Sequence, residues 1–345
     1  AEADAVYGEL DPERLPSPEL LLRYFVGRAR QSAQRMDYPV MRERLAEAEA
    51  ALGQEDCYAD PLFLHAMAGL MLETGEQVTG VPLAARAEQL AEAAHLWKHY
   101  PMIASRASAL ALECGEVRSA QRLSTKGIAT ATALNSERMV ALSMSFLAIC
   151  EIQLGLVGSA LKRREVLLRT GTKLDDGLLL AAYHRLGLYI ASLVGLKSLA
   201  DLSADAMSRI PSVNFAPLIA EYTGLLELGA GNWEAARELL TRAAEGHREL
   251  TQEDGEAGCW AYCSLAEMRL GLSDEARRHL QAAKEVFERG KYPFFMPRYL
   301  LIRCEVESPA DTFAADAAFA ELQREGRGAE LVMWAPLITK HCASD

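Results

Sequence analysis

Residues 224–236 read GLLELGAGNWEAA, and this stretch indicates how the whole chain folds. Apolar residues recur at three- and four-residue steps on both sides of Gly231, which predicts two helices that meet at this glycine. The first helix is expected to end there, because glycine adopts the left-handed conformation at little cost. Asn232 is a suitable N-cap for the second helix. The small residues Gly224 and Ala236 would then face each other and let the two helix backbones approach closely.

The same spacing of small residues recurs along most of the chain. Glycines follow one another at intervals of forty residues, with one shorter step, at Gly75, Gly115, Gly155, Gly195, Gly231 and Gly271. Five residues after each glycine lies a second small residue, namely Gly80, Ala120, Ala160, Ala200, Ala236 or Ala276. Seven residues before each glycine the residue is again small, except at Leu188, which follows Gly187. A register held over six units is typical of a stacked repeat. We therefore predict an all-α solenoid of antiparallel helix pairs, with roughly sixteen to eighteen helices of ordinary length.

A small residue, a glycine seven positions later and an alanine five positions after that, spread over a helical hairpin, resemble the tetratricopeptide repeat. Residues 224–236 come closest to it, as does the stretch LGLSDEA at 270–276. The forty-residue period is longer than the usual 34. It is similar to the variant in the regulatory superhelix of MalT-type transcription regulators, which are LuxR-family ATPases. The resemblance covers roughly residues 55–310 and implies a right-handed α-α superhelix, a TPR-like solenoid, that acts as a sensor region.

The domain organisation follows from where the repeat begins and ends. Residues 1–16 are predicted to form an extended lead-in, and residues 17–54 an N-terminal helical hairpin that caps the array. Ser17-Pro18 is a helix start signal for this hairpin. The repeats are expected over 55–310, and C-terminal capping helices over 311–345, the last of them from Ala329 to His341.

Composition argues against two classes of partner. The net charge is −12 and the isoelectric point is near 5.2, whereas nucleic-acid binders present a concentrated positive field. No stretch approaches about 18 uninterrupted apolar residues, so no membrane span is expected. The seven cysteines are scattered through apolar helical patterns, which is typical of reduced thiols in the cytoplasm. The chain begins with Ala, which suggests a piece of a larger protein.

The sequence contains no phosphate loop, dinucleotide fingerprint or nucleophile elbow, so we predict no catalytic residues and no cofactor. Two pairs of possible metal ligands have four-residue spacing. His95 and His99 could hold a metal. The simpler alternative is that they lie near a helix C-terminus, where the helix dipole favours histidine. Cys259 and Cys263 could form a metal or redox pair, but their aromatic neighbours favour simple packing. We predict no metal site.

The concave face is the remaining candidate for function. In solenoids of helix pairs the first helix of each pair lines this face. Positions two, six and ten residues before the glycines then give a predicted partner-binding site of Gln153, Arg185, Tyr189 and Glu221. Arg185 is the central residue of this prediction, because a guanidinium can bind a carboxylate or phosphate through two hydrogen bonds. The alternative is that these are ordinary solvated helix positions.

Three functions are compatible with this sequence. The first is a non-enzymatic regulatory or sensor module of a larger bacterial protein, which binds a protein, peptide or small-molecule effector. That parent would be a transcription regulator or, alternatively, a signalling enzyme of the diguanylate cyclase type. The second is a structural scaffold that forms a homo-oligomer. The third is an enzyme whose site is not recognisable.

Overall fold

The computed structural model describes residues 10, 12–35, 37–210, 215–250, 252–290, 292–307 and 312–342. Within these ranges the regular structure consists of nineteen α-helices and one 3₁₀ turn at Pro12–Arg14, so the all-α class is confirmed. The helices are α1 Pro18–Gln34, α2 Tyr38–Leu52, α3 Gln54–Tyr58, α4 Pro61–Glu73, α5 Gln77–Ala93, α6 Tyr100–Glu113, α7 Val117–Ala133, α8 Glu137–Gln153, α9 Val157–Leu174, α10 Gly177–Val194, α11 Lys197–Ser208, α12 Ala216–Ala230, α13 Trp233–Glu249, α14 Glu253–Arg269, α15 Ser273–Gly290, α16 Met296–Val306, α17 Thr312–Arg324, α18 Gly328–Met333 and α19 Ala335–His341.

The chain forms two compact units, residues 1–111 and 112–345. In the first unit, α1 packs on α2 and α4 packs on α5, and both α1 and α2 contact α4. The predicted N-terminal hairpin is therefore present as α1 and α2. Its side chains join those of α4 in a core that includes Phe63, Leu64 and Tyr100.

The second unit is a stack of helix pairs. Consecutive helices pack against each other, from α7 and α8 through to α14 and α15. In addition, the first helices of successive pairs contact one another directly, in the order α8, α10, α12, α14 and α16. These five helices thus form a continuous layer, as expected for a solenoid of helix pairs. The right-handed sense of the superhelix remains a prediction.

The predicted helix breaks are confirmed. All six glycines of the register have φ between 73° and 79°, the left-handed region. At Gly231, which follows the end of α12, the backbone N–H bonds back to Leu228 O and so closes the last turn. A side chain at this φ would be strained, which explains the glycine.

The small residues lie where two helices cross closely. Ala160 and Ala236 have no exposed surface. A Cβ atom added to Gly224 would lie 2.8 Å from Leu240 Cγ, so only glycine fits there. At the one exception in the register, Leu188 is in the core, and its neighbour Gly187 takes the small-residue position.

Some local predictions need correction. The side chain of Ser17 caps α1 as predicted, by accepting a hydrogen bond from the Leu20 N–H. Asn232 occupies the N-cap position of α13 as predicted, but its side chain makes no capping hydrogen bond, and its amide donates to Glu227 Oε2 at 2.6 Å. The predicted final helix is broken at Trp334 into α18 and α19. Residues 1–9, 11 and 343–345 of the predicted terminal segments lie outside the described residues.

The helix Gly177–Val194 is the one described helix long and apolar enough to cross a membrane by length and composition, with a mean hydropathy of 1.4. Half of it is buried inside the protein, and the core helix of a soluble protein meets the same criterion. Contacts with α8, α9, α11 and α12 account for its apolar character.

Candidate binding face

The layer of first helices in the second unit, together with the end of α6, carries a group of polar side chains, which we call the inner face: Glu113, Gln153, Arg185, Tyr189, Glu221 and Tyr222. Gln153 is at the end of α8, and its side-chain amide donates to the hydroxyl of Tyr189 on α10. The Tyr189 ring lies 5.5 Å from that of Tyr222 on α12. Two of the four predicted site residues, Gln153 and Tyr189, are therefore in direct contact.

Arg185 lies one turn before Tyr189 on α10. Its side chain is exposed. Its guanidinium donates to the Tyr222 hydroxyl and lies near Glu113 and Glu221. Burial lowers the pKa of Arg185, but these neighbours outweigh it and hold that pKa above the ordinary value. Arg185 is thus a fixed positive charge between two carboxylates.

Glu221, on α12, also belongs to a buried ion pair. His247 Nε2 lies 3.2 Å from Glu221 Oε2, and His247 Nδ1 lies 2.8 Å from Gln252 Oε1. Two acceptors on opposite sides of the ring favour imidazolium, which donates from both nitrogens. Burial lowers the pKa of His247, but the hydrogen bond and charge of Glu221, the bond to Gln252 and the charge of Asp254 together outweigh burial, so the net shift is upward. Glu221 is therefore held in place by α13 and faces Arg185.

Glu113, at the end of α6, is the most perturbed carboxyl group of the inner face. Burial raises its pKa to about 7, with Asp254 and Glu221 adding to the effect and Arg185 and Arg298 opposing it. A carboxyl group that titrates near neutral pH beside other charged groups is a candidate for a functional site.

Glu113 should make stability depend on pH. Its pKa is raised on folding, so its contribution to the free energy of unfolding is fully present below its ordinary pKa, near 4.5, and is lost as the pH rises through about 7. We expect wild type to lose stability between about pH 5 and about pH 8 relative to Glu113→Gln, as measured by urea unfolding. Glu116→Gln, at an exposed neighbouring position, is the control. Parallel pH profiles for wild type and Glu113→Gln would contradict the shift.

The sequence analysis missed several residues of this region. Tyr222 and Tyr262 both lie nine residues before a register glycine, an offset that was not among the three used. Arg298 follows the last glycine of the register, so no offset applied to it. Arg327 and Glu330 belong to a segment that was predicted only to cap the array. A search for tyrosines at a constant distance from the register glycines would have found Tyr222 and Tyr262.

The geometry supports a metal site less well than it supports a polar binding face. Among the described residues, two groups of three side chains place possible ligand atoms within 4.8 Å of one another: Glu221, His247 and Cys259, and Cys263, Glu267 and His279. In each group the histidine already bonds to the carboxylate, at 3.2 Å and 2.8 Å respectively. Burial raises the pKa of both thiols, that of Cys263 to about 12, whereas a metal ligand is a thiolate. Both cysteines have no exposed surface, in agreement with the predicted packing.

The other predicted pair of possible ligands, His95 and His99, lies between two helices. His95 is in the turn after α5 with φ 51°, and its ring is 5.7 Å from that of Trp97. His99 directly precedes α6.

The chain was compared with family models, curated proteins and solved structures. No protein-family model matches the chain, and no curated protein does so. Among solved structures, the chain is similar to one described as "Crystal Structure of Rap Protein Complexed with Competence and Sporulation Factor". The sequence identity is 12%, the TM-score is 0.49, and the alignment covers 97% of this chain and 88% of that chain. The description of the fold rests on the helix packing given above.

Proposed function

We propose that this chain is a non-enzymatic regulatory or sensor module that binds a protein, peptide or small-molecule effector at the inner face. The observation that carries the proposal is Arg185, an exposed guanidinium that is held by the Tyr222 hydroxyl and lies near Glu113 and Glu221. Ligand sites carry a small number of placed polar groups that orient the ligand, and Arg185 and its neighbours would supply them.

The charges of the inner face suggest a ligand that carries both signs. Arg185 can bind a carboxylate through two hydrogen bonds. Glu113 and Asp254, whose pKa values burial raises, would bind an amine or guanidinium and would ionise more readily beside it. Tyr189 and Tyr222 offer flat surfaces and hydroxyl groups between the two charges. A peptide satisfies all of these groups.

The wider context is also a proposal. By its resemblance to the MalT-type superhelix, the chain would be the cytoplasmic sensor region of a larger transcription regulator, or of a signalling enzyme of the diguanylate cyclase type. The net charge of −12 supports a role without direct contact with nucleic acid. A structural scaffold that forms a homo-oligomer is the second candidate, which would give a defined oligomer in sedimentation and no ligand.

Arg185 should be required for binding. We would select peptides from a random display library on wild type and measure their affinity for Arg185→Ala and for Arg169→Ala, an exposed arginine on α9. Arg185→Ala is expected to weaken binding by more than about 1 kcal/mol, because the guanidinium that would bind the ligand carboxylate is lost. Arg169→Ala should bind like wild type. Full affinity of Arg185→Ala for these peptides would show that they bind outside the inner face.

A further inference from the structure

The first unit carries polar side chains along one face of α4. His65, Gly69 and Glu73 follow one another at four-residue steps, so they lie on the same side of this helix. His65 lies ten residues before a register glycine, which is the offset that Arg185 has in the second unit. His65 therefore occupies the place on its own helix that Arg185 occupies on α10.

The beginning of α6 meets this face of α4. His99, which directly precedes α6, is followed at three- and four-residue steps by Met102 and Arg106, so these three residues share one side of the helix. A Cβ atom added to Gly69 would lie 3.4 Å from Arg106 Cζ, which shows that the guanidinium rests on this glycine. Arg106 Nη1 donates to Glu73 Oε1 at 3.1 Å. Within the described ranges, Arg106 Nε and Nη2 have no acceptor.

The end of α1 adds a second guanidinium to the same place. Arg30 is exposed, and its Nη2 donates to the Met102 sulfur at 3.1 Å. No carboxylate in the described part of the chain pairs with Arg30. Arg23, two turns earlier on α1, is paired, since its Nη2 lies 3.1 Å from Asp60 Oδ2. We call these basic residues the basic face: Arg23, Arg30, His65, His99 and Arg106.

The partner of Arg30 is unusual for this protein. In the second unit, Arg298 Nε and Arg327 Nε donate to Glu330 at 2.7 Å and 2.8 Å, and Arg327 Nη2 donates to Phe294 O at 2.8 Å. A thioether sulfur is only a weak acceptor, so Met102 does not replace a carboxylate. With a net charge of −12, the chain has no shortage of acidic residues. The guanidinium of Arg30 is therefore a cation without a counter-charge.

His65 lies at the floor of the basic face and responds to its charges. The ring is 8% exposed, and its Nδ1 is buried without a hydrogen-bond partner in the described residues. Burial lowers the pKa of His65 to about 3, and the positive charges of Arg106, Arg30 and His99 act in the same direction. Burial also lowers the pKa of His99, together with the charges of Arg23 and Arg30. A buried polar atom without a partner costs free energy, which a ligand that bonds to it would recover.

We propose that the basic face is a binding site for a tetrahedral oxyanion, the phosphate or sulfate group of a small ligand. Arg30 and Arg106 would donate to its oxygens from two sides, and His65 from the floor. Guanidinium groups bind such oxygens in pairs. A carboxylate has two oxygens, which one guanidinium satisfies, whereas donors from three helices require a group with more oxygens.

The acidic residues nearby limit the size of the ligand. Asp60 and Glu73 border the basic face, where they pair with Arg23 and Arg106. The site therefore suits one anionic group and not the repeated phosphates of a nucleic acid, which need many cations in a row. This inference goes beyond the proposed function, because it concerns the first unit and does not involve Arg185.

Isothermal titration calorimetry with inorganic phosphate, at constant ionic strength, tests the proposal on the full chain. The variants are Arg30→Gln and its matched control Arg86→Gln, which removes the same charge from an exposed position on α5. We expect wild type and Arg86→Gln to bind phosphate with a Kd of about 1 mM or tighter, and Arg30→Gln to bind it at least about tenfold more weakly. Weaker binding by wild type, or an equal loss in both variants, would overturn the proposal.

Two further titrations test the place and the shape of the ligand. Arg185→Ala should bind phosphate like wild type, and a loss as large as that in Arg30→Gln would place the ion on the inner face and overturn the proposal. Acetate should bind wild type at least about tenfold more weakly than sulfate does. Equal affinity for acetate would refute a tetrahedral site. Peptide binding that depends on Arg185 is unaffected by either outcome, so the proposed function is tested separately.

A final measurement needs no variant. The ring signals of His65 in the NMR spectrum of wild type should shift on addition of phosphate, with the midpoint found by calorimetry, because a nearby anion favours the charged form of the ring. Ring signals that stay in place while phosphate binds would show that the ion is bound elsewhere, which would overturn the proposal.

Discussion

Replacing Glu330 by alanine should loosen the docking of residues 326–341 by about 3–5 kcal/mol, because it leaves two buried guanidiniums facing each other without their shared carboxylate. Burial raises the pKa of Glu330, but Arg298 and Arg327 outweigh it and hold that pKa below its ordinary value, so the group is ionised at neutral pH. The measurement is amide exchange of residues 328–341, where protection should fall by at least about a hundredfold.

The control for Glu330→Ala is Glu288→Ala. The Glu288 carboxylate is 65% exposed and lies 3.9 Å from Lys284, a pair of the kind that contributes little. Protection in that variant should match wild type. Equal protection in Glu330→Ala would mean that the charges of Arg298, Arg327 and Glu330 do not hold residues 326–341.

Replacing Ala160 or Ala236 by leucine should lower the free energy of unfolding by roughly 1–3 kcal/mol, through overpacking at a close helix crossing. Neither alanine has exposed surface, and both follow a register glycine by five residues. Ala235→Leu is the matched control, since Ala235 is exposed on the same helix as Ala236. The melting temperature should drop for Ala160→Leu and Ala236→Leu and stay nearly constant for Ala235→Leu. Unchanged melting in both buried variants would refute the role assigned to the small residues.

Part of the inner face could be found from the sequence. Counting back from the register glycines selected Gln153 and Tyr189, which are in contact, and Arg185 and Glu221, which lie close to each other. This works because residues at one offset occupy equivalent places on equivalent helices. Whether these residues bind a partner stays a proposal.

Offsets from the glycines did not predict side-chain partners. Asn232 takes the N-cap position of α13 as predicted, yet its side chain makes no capping hydrogen bond and its amide donates to Glu227 on the preceding helix. Arg298 and the residues from Gly326 onward lie outside the repeat, so the repeat pattern gives no indication that they contact each other. The helical character of the last residues could be predicted, but not what they lie against.

By itself, the sequence determined the all-α class, the helix breaks at six glycines and the close crossings at small residues. These features depend on local backbone preferences and on contacts that recur at a constant separation, so periodicity reveals them. Only the tertiary structure decided that Arg327 and Glu330 reach Phe294 and Arg298, and that these charges lie near Tyr189. Those contacts join residues more than thirty positions apart through single charged pairs, which leave no repeating pattern in the sequence.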